Sequence, residues 1–146
     1  MPSALQSRRD FLASCLVVPA VMLLPRRAHR RCGDRARGAH RGDHPKPRPG
    51  IDASRVLKAS ELKDTPDAIV AFEEVRQIPQ IVDGIRCQCG CATLPGFYSL
   101  LSCYETADAM ARSCHICQGE GRYAFRLHKA GKSLDEIRAA IDARFG

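Results

Sequence analysis

Three cysteines stand within five residues, Cys87-Gln88-Cys89-Gly90-Cys91, and two more make a Cys-x-x-Cys, Cys114-His115-Ile116-Cys117. Cys103 lies between the two groups, so six thiols fall between positions 87 and 117. Cysteine thiolates are soft ligands that select Cu(I) and Zn(II) over Mg, Ca or Mn. A Cys-x-Cys pair can turn both sulfurs toward one ion, and Gly90 permits the tight backbone this needs. Six sulfurs exceed the four of one structural zinc site. The surplus favours Cu(I), which accepts two or three thiolates and forms multinuclear clusters. Cys87, Cys89, Cys91, Cys103, Cys114 and Cys117 are therefore the expected metal ligands, for Cu(I) first and Zn(II) second.

Two other chemistries suit the same residues. An even set of six cysteines in an exported chain reads as three disulfides, with 15 possible connectivities. Against this, neighbouring Cys-x-Cys thiols are poorly placed to bridge one another, so each needs its own distant partner. Thiol redox activity is the third reading. A thioredoxin-type Cys-x-x-Cys opens a helix after a strand, where the helix N-terminus lowers the thiol pKa. Here Cys114 is expected about two turns inside a helix with no strand before it. Haem attachment fails because Gln118, not His, follows Cys117. No Ser/His/Asp set, paired carboxylate site or phosphate-cradling glycine loop is present, so enzymatic activity is not expected. His115 is expected at the surface or buttressing a ligand, and His128 at a helix end, where the dipole favours it.

The elements that must position these thiols are helical. Thr65-Pro66-Asp67 marks a helix start, with Thr65 as N-cap and Pro66 at the first helical position. Ile69, Phe72 and Val75 give that helix one apolar face, and Pro79 closes it. Pro79 opens a short turn through Ile81, Val82 and Ile85. The stretch from Cys87 to Gly96 reads as an irregular loop, with Gly90, Pro95 and Gly96 in it. A helix is expected from Phe97 through Cys103. Another is expected from Thr106 to Lys129, where Ala107, Met110, Cys114, Cys117, Gly121 and Ala124 recur at three- and four-residue steps. That spacing predicts Cys114 and Cys117 on one helix face. Gly131 ends the helix. Ser133 caps the last one, with Glu136 completing a capping box, and Leu134, Ile137, Ile141 and Phe145 form its buried stripe. No period-two pattern appears. The expected fold is a small all-α bundle over residues 51–146, with an irregular cysteine-rich loop packed on a cysteine-bearing helix.

The N-terminal third differs in kind. The whole chain of 146 residues has a formal charge of +7. Residues 1–50 hold 11 Lys/Arg against 3 Asp/Glu, or +8, while residues 51–146 hold 12 against 13, or −1. The near-neutral domain removes the main support for nucleic-acid binding. Residues 1–25 read as an export signal: Ser7-Arg8-Arg9-Asp10-Phe11-Leu12 resembles the twin-arginine translocation signal, and Phe11 to Leu24 is an apolar stretch of 14 residues. That length suits a signal peptide and is short of the roughly 20 residues of a membrane span. Leu12-Ala13-Ser14-Cys15 formally fits a lipobox, but Cys15 lies inside the apolar stretch, which argues against lipidation. No Ala-x-Ala cleavage site follows Leu24. Twin-arginine export carries folded proteins, often with a cofactor already inserted, which favours metal over disulfides. The expected destination is the periplasm or cell envelope, with no membrane span after signal removal. Residues 26–50, rich in Arg, Gly, His and Pro, are expected as a disordered basic linker. Cys32 stands in it with His29, His40 and His44, where a solvated linker is favoured over a metal site.

Taken together, Ile85-Arg86-Cys87-Gln88-Cys89-Gly90-Cys91, Ser99-Leu100-Leu101-Ser102-Cys103-Tyr104, Cys114-His115-Ile116-Cys117, and Gly131-Lys132-Ser133 before Glu136-Ile137-Arg138 resemble the PCYCGC-motif proteins. These are small exported bacterial proteins, many of them lipoproteins. The likeness covers about residues 68–145. Arg86 and Gln88 replace the Pro and Tyr that name the motif, and Pro95-Gly96-Phe97 stands where family members often carry a His. The resemblance implies export and a cysteine-centred function, with thiols rather than histidine as the ligand set. The expectation is an exported metal-binding protein that sequesters a thiophilic ion or passes it to a donor or acceptor protein. The alternative is a disulfide-stapled interaction domain, or a thiol-redox protein.

Overall fold

A computed structural model describes residues 43–146; the expected signal (1–25) and residues 26–42 of the expected linker lie outside the described residues. The architecture is all-α, as expected. Among the described residues four helices, α1 (Ile69–Arg76), α2 (Pro79–Asp83), α3 (His115–Lys129) and α4 (Leu134–Phe145), are joined by short 3-10 turns. No β-strand occurs among the described residues, only one antiparallel bridge between Val56 and Glu105. Helix α3 packs against α1 on one side and α4 on the other.

Pro66 opens a 3-10 turn, Pro66–Ala68, that runs directly into α1. Thr65 precedes it as expected, but its hydroxyl makes no capping bond and is buried without a partner. The Thr65 carbonyl, accepting from the Ala68 N–H at 3.0 Å, closes the turn instead. Phe72 and Val75 are fully buried, and Ile69 packs at the margin. The helix ends at Arg76, before Pro79, because the residue preceding a proline is pushed out of the helical region. Ile78 accordingly sits at φ −135°, ψ 44°, and Pro79 starts α2.

The expected helix from Thr106 to Lys129 is shorter than the spacing suggested. Thr106 takes a positive φ of 67°, a 3-10 turn covers Met110–Arg112, and α3 begins only at His115. A 3-10 turn has three residues per turn, so it carries the same three-residue steps as an α-helix over a short stretch. The expected helix through Cys103 is likewise a 3-10 segment, Leu100–Tyr104. At the other end α3 stops as expected. Gly131 lies at φ 77°, with Lys132 N–H on the Leu127 carbonyl (3.0 Å) and Gly131 N–H on that of His128 (2.9 Å), the Schellman arrangement. Ser133 then caps α4: its Oγ accepts from the Glu136 N–H (3.3 Å), and Glu136 Oε2 accepts from the Ser133 N–H (2.8 Å). Ile137 and Ile141 are buried, with Leu134 and Phe145 at the edge of the stripe.

Residues 43–50, the end of the expected disordered linker, are instead a strap docked on the domain. The Arg48 guanidinium grips the fully buried Asp83 (Nη2–Oδ1 2.6 Å, Nε–Oδ1 3.1 Å), and the Arg48 N–H adds a bond to Oδ2 at 2.8 Å. Tyr98 Oη donates to the Lys46 carbonyl (2.6 Å), and Arg138 Nη2 donates to that of Pro45 (2.8 Å). Polar composition predicts disorder only when nothing compensates for ordering. Here a buried carboxylate and three carbonyl or amide contacts do.

Candidate metal centre

Three segments deliver the six cysteines. The loop after α2 carries Cys87, Cys89 and Cys91, the 3-10 segment Leu100–Tyr104 carries Cys103, and the start of α3 carries Cys114 and Cys117. Gly90 sits at φ 88°, a left-handed conformation that L side chains avoid, and it reverses the chain between Cys89 and Cys91. The 3-10 turn Cys91–Thr93 follows, held by Thr93 Oγ1 on the Gly90 carbonyl at 2.8 Å. A bond from Leu100 N–H to the Ile85 carbonyl (2.7 Å) draws the Cys103 segment alongside the loop.

All six sulfurs lie inside. Their residues range from 0% exposed for Cys103 and Cys117 to 4% for Cys89. Measured between Sγ atoms, Cys89–Cys91 is 2.8 Å, Cys87–Cys89 3.1 Å, Cys89–Cys117 3.4 Å and Cys87–Cys117 3.6 Å. No pair among the described cysteines stands at disulfide distance. Among the described residues two groups could hold a metal ion: Cys87, Cys91, Cys103 and Cys117, and then Cys89, Cys114 and Cys117. Within each group every sulfur is within 4.8 Å of the others. The structure thus brings together every cysteine the sequence singled out between positions 87 and 117. His115 and His128 are exposed and belong to neither group.

Cys114 is not where the helical period put it. It is the N-cap of α3, in extended conformation (φ −93°, ψ 104°), with Cys117 in the first turn. The reason to discount redox chemistry, that Cys114 lay two turns inside a helix, therefore falls. The position also serves metal binding, since it sets Cys114 within ligand spacing of Cys117 and Cys89. Within the cluster the thiols perturb one another unequally. Contacts from Cys103 first, then Cys117 and Cys87, pull Cys91 down to about 4. Cys87 moves the other way, raised first by its contact with Cys103.

Three supporting residues were not read from the sequence as part of the site. Glu120 is fully buried on α3, one turn beyond Cys117, and its Oε1 accepts from the Gln88 N–H at 2.7 Å. Burial pushes its carboxyl up to about 8, against the lowering effect of that N–H and of the Cys87 thiol. Its signal was legible: an acid on the same stripe as Cys117, Gly121 and Ala124. Tyr104, also fully buried, donates its hydroxyl to the Cys117 carbonyl at 2.6 Å. Gly121 makes that crossing possible, because a Cβ there would collide with the Tyr104 hydroxyl and stand 2.7 Å from Val75 Cγ2. His44 reaches the loop from the strap. Its Nδ1 accepts from the Arg86 N–H (3.0 Å), which assigns the ring proton to Nε2, 3.1 Å from Asp142. No family model, curated protein or solved structure matches the chain.

Proposed function

We propose that this protein is exported and binds a thiophilic ion, Cu(I) first and Zn(II) second, to sequester it or deliver it to another protein. One observation carries the reading: six buried sulfurs from three segments converge in two groups of ligand-like spacing. Burying so many thiols side by side suits a site whose charge a cation neutralises. The Ser7–Leu12 signal-like run and the likeness to the PCYCGC-motif proteins support export and a cysteine-centred role. A thiol-redox role now has the helix N-cap in its favour. However, a reactive cysteine needs exposure and a depressed pKa. Cys114 is only 3% exposed. The Cys117 contact lowers its pKa, but Cys89 and burial together raise it further, above the ordinary thiol value. Cys91, whose thiol is pulled down, is only 2% exposed.

The test is metal content and a peptide-resolved thiol count on the full chain, purified with and without reductant. Bound metal is expected, with alkylation of the six clustered thiols blocked until a chelator removes it. Six oxidised thiols and no metal in the non-reduced sample would overturn the reading in favour of a disulfide-stapled domain.

A further inference from the structure

The geometry points to a two-ion centre in which the Cys117 thiolate bridges a pair of closed-shell thiophilic ions. This inference rests on the metal-binding reading and adds the number of ions and the division of the ligands. The six sulfurs do not form a single shell. They divide into a group of four (Cys87, Cys91, Cys103, Cys117) and a group of three (Cys89, Cys114, Cys117), and Cys117 alone belongs to both. Together the groups use every described cysteine, with none left over.

One edge in each group fits this division. A tetrahedral ion with Zn–S bonds of about 2.3 Å sets its sulfurs about 3.8 Å apart. Cys87–Cys117 at 3.6 Å and Cys89–Cys117 at 3.4 Å, one edge from each group, approach that value and both pass through Cys117. The shorter contacts, Cys87–Cys89 at 3.1 Å and Cys89–Cys91 at 2.8 Å, run from one group to the other. It is the shared Cys117 that makes the two ion positions neighbours.

Cys117 is also held in place. It sits in the first turn of α3, and its carbonyl is fixed by the buried Tyr104 hydroxyl at 2.6 Å. The loop carrying Cys87, Cys89 and Cys91 closes on it, tied to α3 through Gln88 and Glu120. Charge argues the same way. Six thiolates with one divalent ion leave four negative charges buried, which is costly, whereas two divalent ions leave two beside the positive end of α3. Two Cu(I) ions would leave four, so charge favours a divalent pair. The four-sulfur group suits a tetrahedral ion, and the three-sulfur group suits a trigonal one or a tetrahedral ion with a fourth ligand from solvent.

The test uses the full chain, reduced under anaerobic conditions and titrated with Cd(II), a tetrahedral thiophilic stand-in for Zn(II). Native mass spectrometry counts the ions and cadmium NMR reports their environments. Two ions are expected per chain, giving two resonances coupled to each other through the shared sulfur. Cys103→Ser and Cys114→Ser should each reduce the count from two to one and remove different resonances. Cys117→Ser should abolish the coupling. One ion per chain, two uncoupled resonances, or either single variant still holding two ions would overturn the bridged pair while leaving metal binding intact. No bound ion in the wild-type chain would overturn metal binding itself. The wild-type count and coupling decide the matter even if a serine variant fails to fold.

Discussion

Glu120 shows how one buried acid can support a sulfur site without being one of its ligands. Its Oε1 takes the backbone N–H of Gln88, the residue between Cys87 and Cys89, and so pins the loop to α3. Truncation to alanine leaves that N–H unpaired and opens a cavity beside the cluster. Glu120→Ala should cost about 2–4 kcal/mol of stability in urea unfolding of the metal-free chain. Glu120→Gln keeps the acceptor and the volume, and should stay within about 1 kcal/mol of wild type. Equal losses in the two variants would mean that the Gln88 bond does not hold the loop.

Helix α3 is the element on which the centre is built. It supplies Cys114 at its N-cap, Cys117 in its first turn, and Glu120 and Gly121 one turn further on the same face. Its close approach to Tyr104 and α1 depends on the missing side chain at Gly121. In an open helix, Gly→Ala stabilises by up to about 1 kcal/mol. Here the methyl group would meet the Tyr104 hydroxyl and Val75, so Gly121→Ala should instead destabilise by about 1–3 kcal/mol. It should also weaken metal binding, because Tyr104 cannot then hold the Cys117 carbonyl. Thermal unfolding and a metal-competition titration check both effects, and a stabilised variant with unchanged affinity would refute the packing argument.

Across the whole molecule, the strap over residues 43–50 locks α2, the loop from Arg86 to Tyr98 and α4 into one body. Its anchor is Asp83. Burial alone would raise that carboxyl, but bonds from the Arg48 guanidinium and backbone and from Ser99 outweigh it and hold the pKa below the ordinary carboxylate value. A lowered acid contributes stability that is present above its unfolded pKa and is lost as pH falls through the folded one. The contribution of the pair is therefore complete above about pH 4 and fades below it. Asp83→Asn should cost about 2 kcal/mol at neutral pH, discounted because Arg48 is partly exposed. The gap from wild type should narrow below pH 4. A gap that stays constant down to pH 2, measured by urea unfolding, would show that the charge pair is not the anchor.

The division between sequence and structure follows from the range of the forces involved. Fold class, the capping box at Ser133, the stop at Gly131 and the six cysteines were legible because each depends on local chemistry or on a repeating period. The start of α3 was not, because Met110–Arg112 wraps as a 3-10 turn whose three-residue step imitates a helix. The strap was not, because its order comes from Asp83, 35 residues away from Arg48. Likewise, the sequence determined that six soft ligands lie close together in the chain. Only the tertiary structure decided how they divide and that Cys117 belongs to both groups. That sharing depends on three segments meeting at the first turn of α3, and such long-range contacts leave no period in the sequence.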